Sequence, residues 1–361
     1  MTRRQLTVTQ FVAAIVMLAC YVAGFASART VDLPQQLSDR DFWKLSEELS
    51  EPNGTFRSDN LLSNEIWLQH VIPVLAKSAK AGRVYLGVGP EQNFTYIAAL
   101  KPSMAFIVDI RRGNLQLHLM YKALFELSND RADFVSKLFA KKRPAGLSSS
   151  STALEIFNAY SEVPTSEALF KENLKAIRDR LVKERNLPLT GEDLNGIEYV
   201  ANAFYWHGPG INYNSSGGRM GRMMATYFDL MVATDAEGRS WSYLASEENF
   251  RVLKDLHTKN LLLPVVGNFG GPKALRAVGQ YIKERGAHVN AFYLSNVEQY
   301  LDQQGLWPAF CNNVAALPLD DGSTFIRSVR PGPNANGFGG FGMGLINQLG
   351  KMLEETKSCP K

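Results

Sequence analysis

The chain is poor in the residues that announce common chemistries. Its 361 residues hold three cysteines and five histidines. His70, His118, His207, His257 and His288 stand too far apart for the short spacings of metal ligands. There is no C-x-x-C, no H-E-x-x-H, no G-x-S-x-G and no glycine loop ending in Gly-Lys-Ser/Thr, which sets aside zinc-knuckle, metalloprotease, serine-hydrolase and P-loop chemistry. Charge of one sign is missing too: 39 Lys and Arg against 35 Asp and Glu leave a net +4, which gives no reason to expect nucleic acid as a partner. What remains is 45% hydrophobic and long enough to bury one large core or two smaller ones.

One long apolar run stands at the start. Arg3 and Arg4 precede the charge-free stretch Phe11 to Phe25, and Ala26-Ser27-Ala28 places small residues where a signal peptidase cleaves. Residues 1–28 therefore read as a signal peptide cleaved after Ala28, with an uncleaved N-terminal membrane anchor as the second reading. Either version places residues beyond Arg29 outside the cytoplasm, periplasmic or secreted, with membrane contact only through this segment. Removing it takes the net charge to +2 and leaves Cys311 and Cys359, which pair across an oxidising compartment or remain free thiols.

The richest stretch is Arg83 to Asp109, RVYLGVGPEQNFTYIAALKPSMAFIVD. Val84, Tyr85, Leu86 and Val88 make a nearly continuous apolar run, as in a buried parallel strand. Gly87 and Gly89 allow a sharp turn and a close approach of a ligand to the backbone. Pro90 suits the first turn of a following helix, and Glu91 places negative charge at its N-terminus. A second strand, Met104 to Val108, delivers Asp109 about 20 residues after the loop, where an acid accepts hydrogen bonds from ribose hydroxyls.

These residues resemble the class I S-adenosylmethionine-dependent methyltransferases over roughly the first strand-helix-strand unit. Leu86-Gly87-Val88-Gly89-Pro90 stands where that superfamily has its glycine motif, and Asp109 where it has its ribose-binding acid. Tyr85 replaces the usual acid before the glycines, and Glu91 the third glycine. The segment after Asp109 also looks loosely like betaine-lipid synthases, which transfer an aminocarboxypropyl group from the same cosubstrate. The resemblance implies S-adenosylmethionine as cofactor, held by Gly87, Gly89, Pro90, Glu91, Asp109 and Asn268; Asn268 lies in a Gly-Asn-Phe-Gly-Gly turn where many methyltransferases have a catalytic or substrate-binding Asp/Asn motif, and the turn reads equally as a helix cap. Because that cosubstrate is made in the cytoplasm, an exported position pulls against this chemistry.

Two further segments offer polar groups. RSDNLLSNE, Arg57 to Glu65, precedes an apolar helix expected over Ile66 to Ala79 and reads either as capping by Ser63 or Asn64 or as one wall of a ligand cleft. The loop Tyr205 to Arg219 gathers aromatics, amides and glycines as a lid would, with Tyr205, Tyr213 and Asn214 as substrate contacts. His207 within it is the candidate general base, or else a packed histidine beside Trp206.

The remaining pattern predicts helices over Asp39 to Ser50, Leu115 to Leu127 capped by Asn114, Ser166 to Asn186, Glu247 to Asn260 and Pro272 to Arg285. Strands are expected at Ser240 to Leu244, Leu261 to Val266, His288 to Leu294 and, as the final edge, Thr324 to Val329. The alternation implies an α/β fold, a doubly wound and mostly parallel sheet with a helical insertion. Ligands in such sheets bind at the strands' carboxyl ends, so Asp109, Asn268, Ser295 and Asn296 are candidates for one crevice. The expected organisation is a leader (1–28), a helical region (29–80), a methyltransferase-like domain (81–330) with its insertion at about 115–200, and a Gly-rich loop with a C-terminal helix near Leu345 to Leu353 (331–361). Two functions compete: transfer of a methyl or aminocarboxypropyl group to an acceptor the sequence does not identify, and non-enzymatic binding outside the cytoplasm by a protein that keeps the fold.

Overall fold

Apolar runs that are buried along nearly their whole length build the centre of the molecule. In the computed structural model, which describes residues 32–215, 224–330 and 345–359, these runs are β1 (Val84–Gly87), β2 (Met104–Asp109), β3 (Leu262–Val266) and β4 (Val289–Ser295). With β5 (Thr324–Val329) and β6 (Ile346–Lys351) they form one sheet in the order β3-β2-β1-β4-β5-β6. The first five strands run parallel, and β6 pairs antiparallel with β5 from Thr324 opposite Lys351 to Val329 opposite Ile346. Burial on both faces is what a near-continuous apolar strand requires, so the fold is α/β with a mostly parallel sheet.

Helices make the crossovers. Gln92–Leu100 joins β1 to β2, Ala274–Glu284 joins β3 to β4, and Val297–Gln303 with Trp307–Ala315 join β4 to β5. Between β2 and β3 lies the helical insertion, beginning with Arg112–Leu127 and Arg131–Phe139 and ending with Glu247–Thr258. Its core is aromatic: the ring of Phe94 meets His118, Tyr121, Phe125, Tyr243 and His257 edge-on at centroid distances of 5.1 to 5.8 Å. A bidentate pair, Arg112 to Asp193 at 2.7 and 3.0 Å, fastens the first insertion helix to the start of Gly191–His207. Burial alone would raise the Asp193 carboxyl, but hydrogen bonds from Arg112 and Thr190 outweigh it and hold the pKa at about 2.

The N-terminal region protects one sheet edge. Pro264 sits in β3, tolerable because β3 is an edge strand. The helix Asp39–Leu49 lies against β3, with Ser46 donating to the Pro264 carbonyl, and Val266 donates to Ser50 Oγ. At the opposite edge, Cys311 and Cys359 form a disulfide with Cα atoms 5.4 Å apart, tying the tail after β6 to the helix Trp307–Ala315.

Several expectations are corrected. Ser240 to Leu244 is not a strand: Tyr243 and Leu244 form a turn, and the Tyr243 ring is buried with its hydroxyl 2.5 Å from that of Tyr227. Thr324 to Val329 is not the edge, because β6 covers it. The helix expected over Leu345 to Leu353 is this strand followed by a single turn, Met352–Glu355. Asn114 lies inside its helix, whose first amide, Arg112, is capped from a distance by Asn53 Oδ1 at 2.7 Å. Residues 1–28, Ser216 to Arg219 of the expected lid, and the Gly-rich 331–344 lie outside the described residues.

Candidate functional site

The strand order reverses between β1 and β4, and the segments that leave the carboxyl ends of β1 to β4 line a cleft of about 470 Å3. Val88, Gly89 and Gln92 come from the β1 turn, Asp109 and Arg111 from the end of β2, Gly267 to Phe269 from β3, and Ser295 to Val297 from β4. Crevices at such a reversal are where open α/β sheets bind ligands. Other concavities among the described residues lie elsewhere. A surface groove beside Trp241 and a shallow basic one beside Lys273 and Lys283 draw no residue from a strand's carboxyl end.

Gly89 needs its left-handed backbone, φ +76°, which a side chain would strain. Gly87 serves another purpose: it does not line the cleft, and a Cβ there would collide with Asn93 Oδ1. Asn93 organises the turn. Its Nδ2 lies 2.9 Å from the carbonyl of Val88, 3.3 Å from that of Gly89 and 2.7 Å from that of Pro90, and its Oδ1 accepts from the Tyr85 hydroxyl at 2.9 Å. Tyr85 therefore works from within the sheet. His118 Nε2 meets the Gly89 carbonyl from behind at 2.9 Å, and burial pulls its pKa down to about 4, so the ring is neutral near pH 7.

Pro90 and Glu91 also stay out of the cleft. Glu91 is fully buried and accepts the Ser63 amide at 3.3 Å; burial pushes its pKa up to about 8 against the hydrogen bonds that lower it. Through this contact the β1 turn holds the segment Arg57 to Glu65, which forms a wall of the cleft with Arg57, Asn60, Ser63, Asn64 and Glu65. Ser63 caps no helix. Its Oγ accepts the Glu65 amide at 3.1 Å, and the next element is the 3-10 turn Leu68–Val71, which continues into Ile72–Ser78.

Asp109, 5% exposed, accepts the Arg111 amide on Oδ1 at 2.9 Å. No hydrogen bond among the described residues engages its Oδ2. Asn268 lines the cleft while its Oδ1 accepts the Gly270 amide at 2.9 Å, and the helix Ala274–Glu284 is capped instead by Glu51, whose Oε1 accepts the Lys273 and Ala274 amides at 2.8 Å each.

Of the described residues of the expected lid, Tyr213 reaches the cleft and the others do not. Tyr205, Trp206 and His207 are the last turn of the helix Gly191–His207. Tyr205 stacks on Phe170 at 4.6 Å, and His207 is exposed. The amide of Asn214 donates to Asn212 Oδ1 at 2.9 Å, and its side chain does not line the cleft. Neither His207 nor Asn214 is placed to meet a ligand there.

One buried acid at the cleft was not singled out by the motifs. Glu65 is 1% exposed and accepts from Tyr293 Oη at 2.5 Å, Ser295 Oγ at 2.6 Å and Asn347 Nδ2 at 2.9 Å. Gln92 Nε2 donates to the same Tyr293 oxygen at 3.0 Å. Ser295 sits at φ +51°, where the register of β4 against β5 shifts, a strained geometry of the kind that collects at functional sites. The signal in the sequence was the polar run ending at Glu65, but its partners come from β4 and β6, distant in the chain.

None of the curated proteins compared with the chain matches it. A family model described as "Domain of unknown function (DUF7790)" matches residues 61–339, a span that holds β1 to β5 and most of the residues that line the cleft. That is well over half of the chain, and the protein belongs to this family.

Proposed function

We propose that the cleft binds a nucleoside-bearing small molecule of the S-adenosylmethionine type, and that the protein is a transferase of a methyl or aminocarboxypropyl group built on a methyltransferase-like Rossmann fold. The observation that carries this reading is the meeting of Gly89 and Asp109 in one crevice at the point where the strand order reverses. Gly89 lets a ligand approach the turn's main chain, and Asp109 offers an oxygen, Oδ2, that no hydrogen bond among the described residues engages, to ribose hydroxyls. The site residues of this reading are Gly89, Gln92, Asp109, Asn268 and Tyr213. Gly87 and Glu91 support them from behind.

A second reading has its own support. The Cys311–Cys359 disulfide fits an oxidising compartment, as does the signal-like arrangement of residues 1–28, and both favour an extracytoplasmic binding protein that keeps the fold and takes another ligand.

Calorimetry separates the two. The transferase reading expects S-adenosylmethionine and S-adenosylhomocysteine to bind the full chain. Asp109→Ala, checked for folding by thermal unfolding, should weaken both by roughly ten- to a hundredfold, the worth of hydrogen bonds to a charged acceptor. Absence of binding at millimolar ligand would sink that reading.

A further inference from the structure

Arg111 leaves β2 two residues after Asp109 and lines the same cleft. Its side chain is 12% exposed. Nη1 donates to the Asp59 carbonyl, which fixes the guanidinium between the Arg57 to Glu65 wall and the end of β2. Nε lies 3.4 Å from Asp109 Oδ1, close enough for attraction, yet both Nε and Nη2 are buried without a hydrogen-bond acceptor among the described residues. Those two N–H groups occupy one edge of the guanidinium, the edge that takes two oxygens of a carboxylate or phosphate at once. Buried donors are costly to leave unpaired.

The charge around Arg111 points the same way. Arg57 and Arg330 line the cleft with it, and neither forms an ion pair among the described residues; Arg57 donates to the Tyr300 hydroxyl at 2.8 Å instead. Against these three cations the lining offers the carboxylates of Asp109 and Glu65, and Glu65 already accepts from three donors. A lining of this sign raises the local concentration of anions.

We infer that the ligand of this cleft carries an anionic oxygen group, phosphate or carboxylate, seated on the Nε and Nη2 edge of Arg111 with Arg57 and Arg330 adding attraction. The inference deepens the nucleoside reading and shares its cleft, but the two fail separately. The test titrates the full chain by calorimetry with adenosine, adenosine 2′- and 5′-monophosphate, S-adenosylhomocysteine, inorganic phosphate and succinate. At least one anionic adenosine compound should bind about tenfold or more tighter than adenosine, as charge-assisted bidentate bonds warrant. That advantage should vanish in Arg111→Gln and shrink as salt rises. An advantage confined to the monophosphates assigns a phosphate, and one confined to S-adenosylhomocysteine a carboxylate. Should Arg111→Gln fail to fold, Arg111→Lys carries the test, since it keeps the charge, loses the fork and should lose most of the advantage.

Anionic compounds binding no tighter than adenosine, or an advantage that survives loss of Arg111, would overturn the inference. Phosphate or succinate binding that needs Arg111 while adenosine does not bind would keep it and remove the nucleoside. Silence from every probe would remove both.

Discussion

Glu91 and His118 hold the β1 turn from opposite sides with opposite responses to pH. Burial raises the Glu91 pKa to about 8, so between its ordinary value near 4.5 and that point the folded chain keeps a proton that the unfolded chain releases. Its contribution is present below pH 4.5 and is lost as pH rises toward 8. Burial lowers the His118 pKa from its ordinary 6.5 to about 4, so the unfolded chain takes up the proton first and stability falls as pH drops below 6.5. Glu91→Gln removes the first response while keeping an acceptor for the Ser63 amide. Urea unfolding should show the variant more stable than the parent at pH 8 and near it at pH 4.5. A parent and variant with parallel pH profiles would mean that Glu91 is ionised in the fold.

Among elements, the strand that the sequence hid best is β6. Ile346, Leu349 and Met352 recur at a three-residue spacing that imitates a helix face, and Gly350 breaks the alternation of a strand. Pairing with β5 overrides that local pattern. β6 also brings Asn347 to Glu65, so the tail is joined to the wall of the cleft. Arg327 on β5 reinforces the joint through Glu298 at 2.6 Å and Glu355 at 2.7 Å. The disulfide closes this corner across a sequence separation of 48 residues, and the double substitution Cys311→Ser with Cys359→Ser should cost about 2–4 kcal/mol in denaturant unfolding. No loss of stability would show that the sheet edge holds without the bond. The interior strands were legible because burial on both faces leaves an apolar run, and Thr324 to Val329 was read to its last residue. Ser240 to Leu244 was misread because Trp241 and Tyr243 alternate like a strand while serving as turn anchors, Trp241 by donating to Asp235 at 2.6 Å.

At the scale of the whole molecule, the sequence revealed where the cleft is and less of what lines it. Gly89 and Asp109 stood out because strand, turn and acid follow one another within one unit. Asn268, Ser295 and Asn296 could be placed once the alternation of strands and helices was read. Arg111, Gln92 and Tyr293 could not, and Glu65 only as part of a possible cleft wall, since their partners are set by packing between segments far apart in the chain. His207 drew attention by its residue type, but the helix Gly191–His207 carries it away from the crevice. The central claim of the proposed function is that a nucleoside ligand lies across the carboxyl ends of β1 to β4. Hydrogen–deuterium exchange with and without S-adenosylhomocysteine tests it most directly. Slowed exchange confined to residues 88–92, 109–111, 267–269 and 295–297 is the expected result. Protection at the groove beside Trp241, or none in these four segments while the ligand binds, would contradict it.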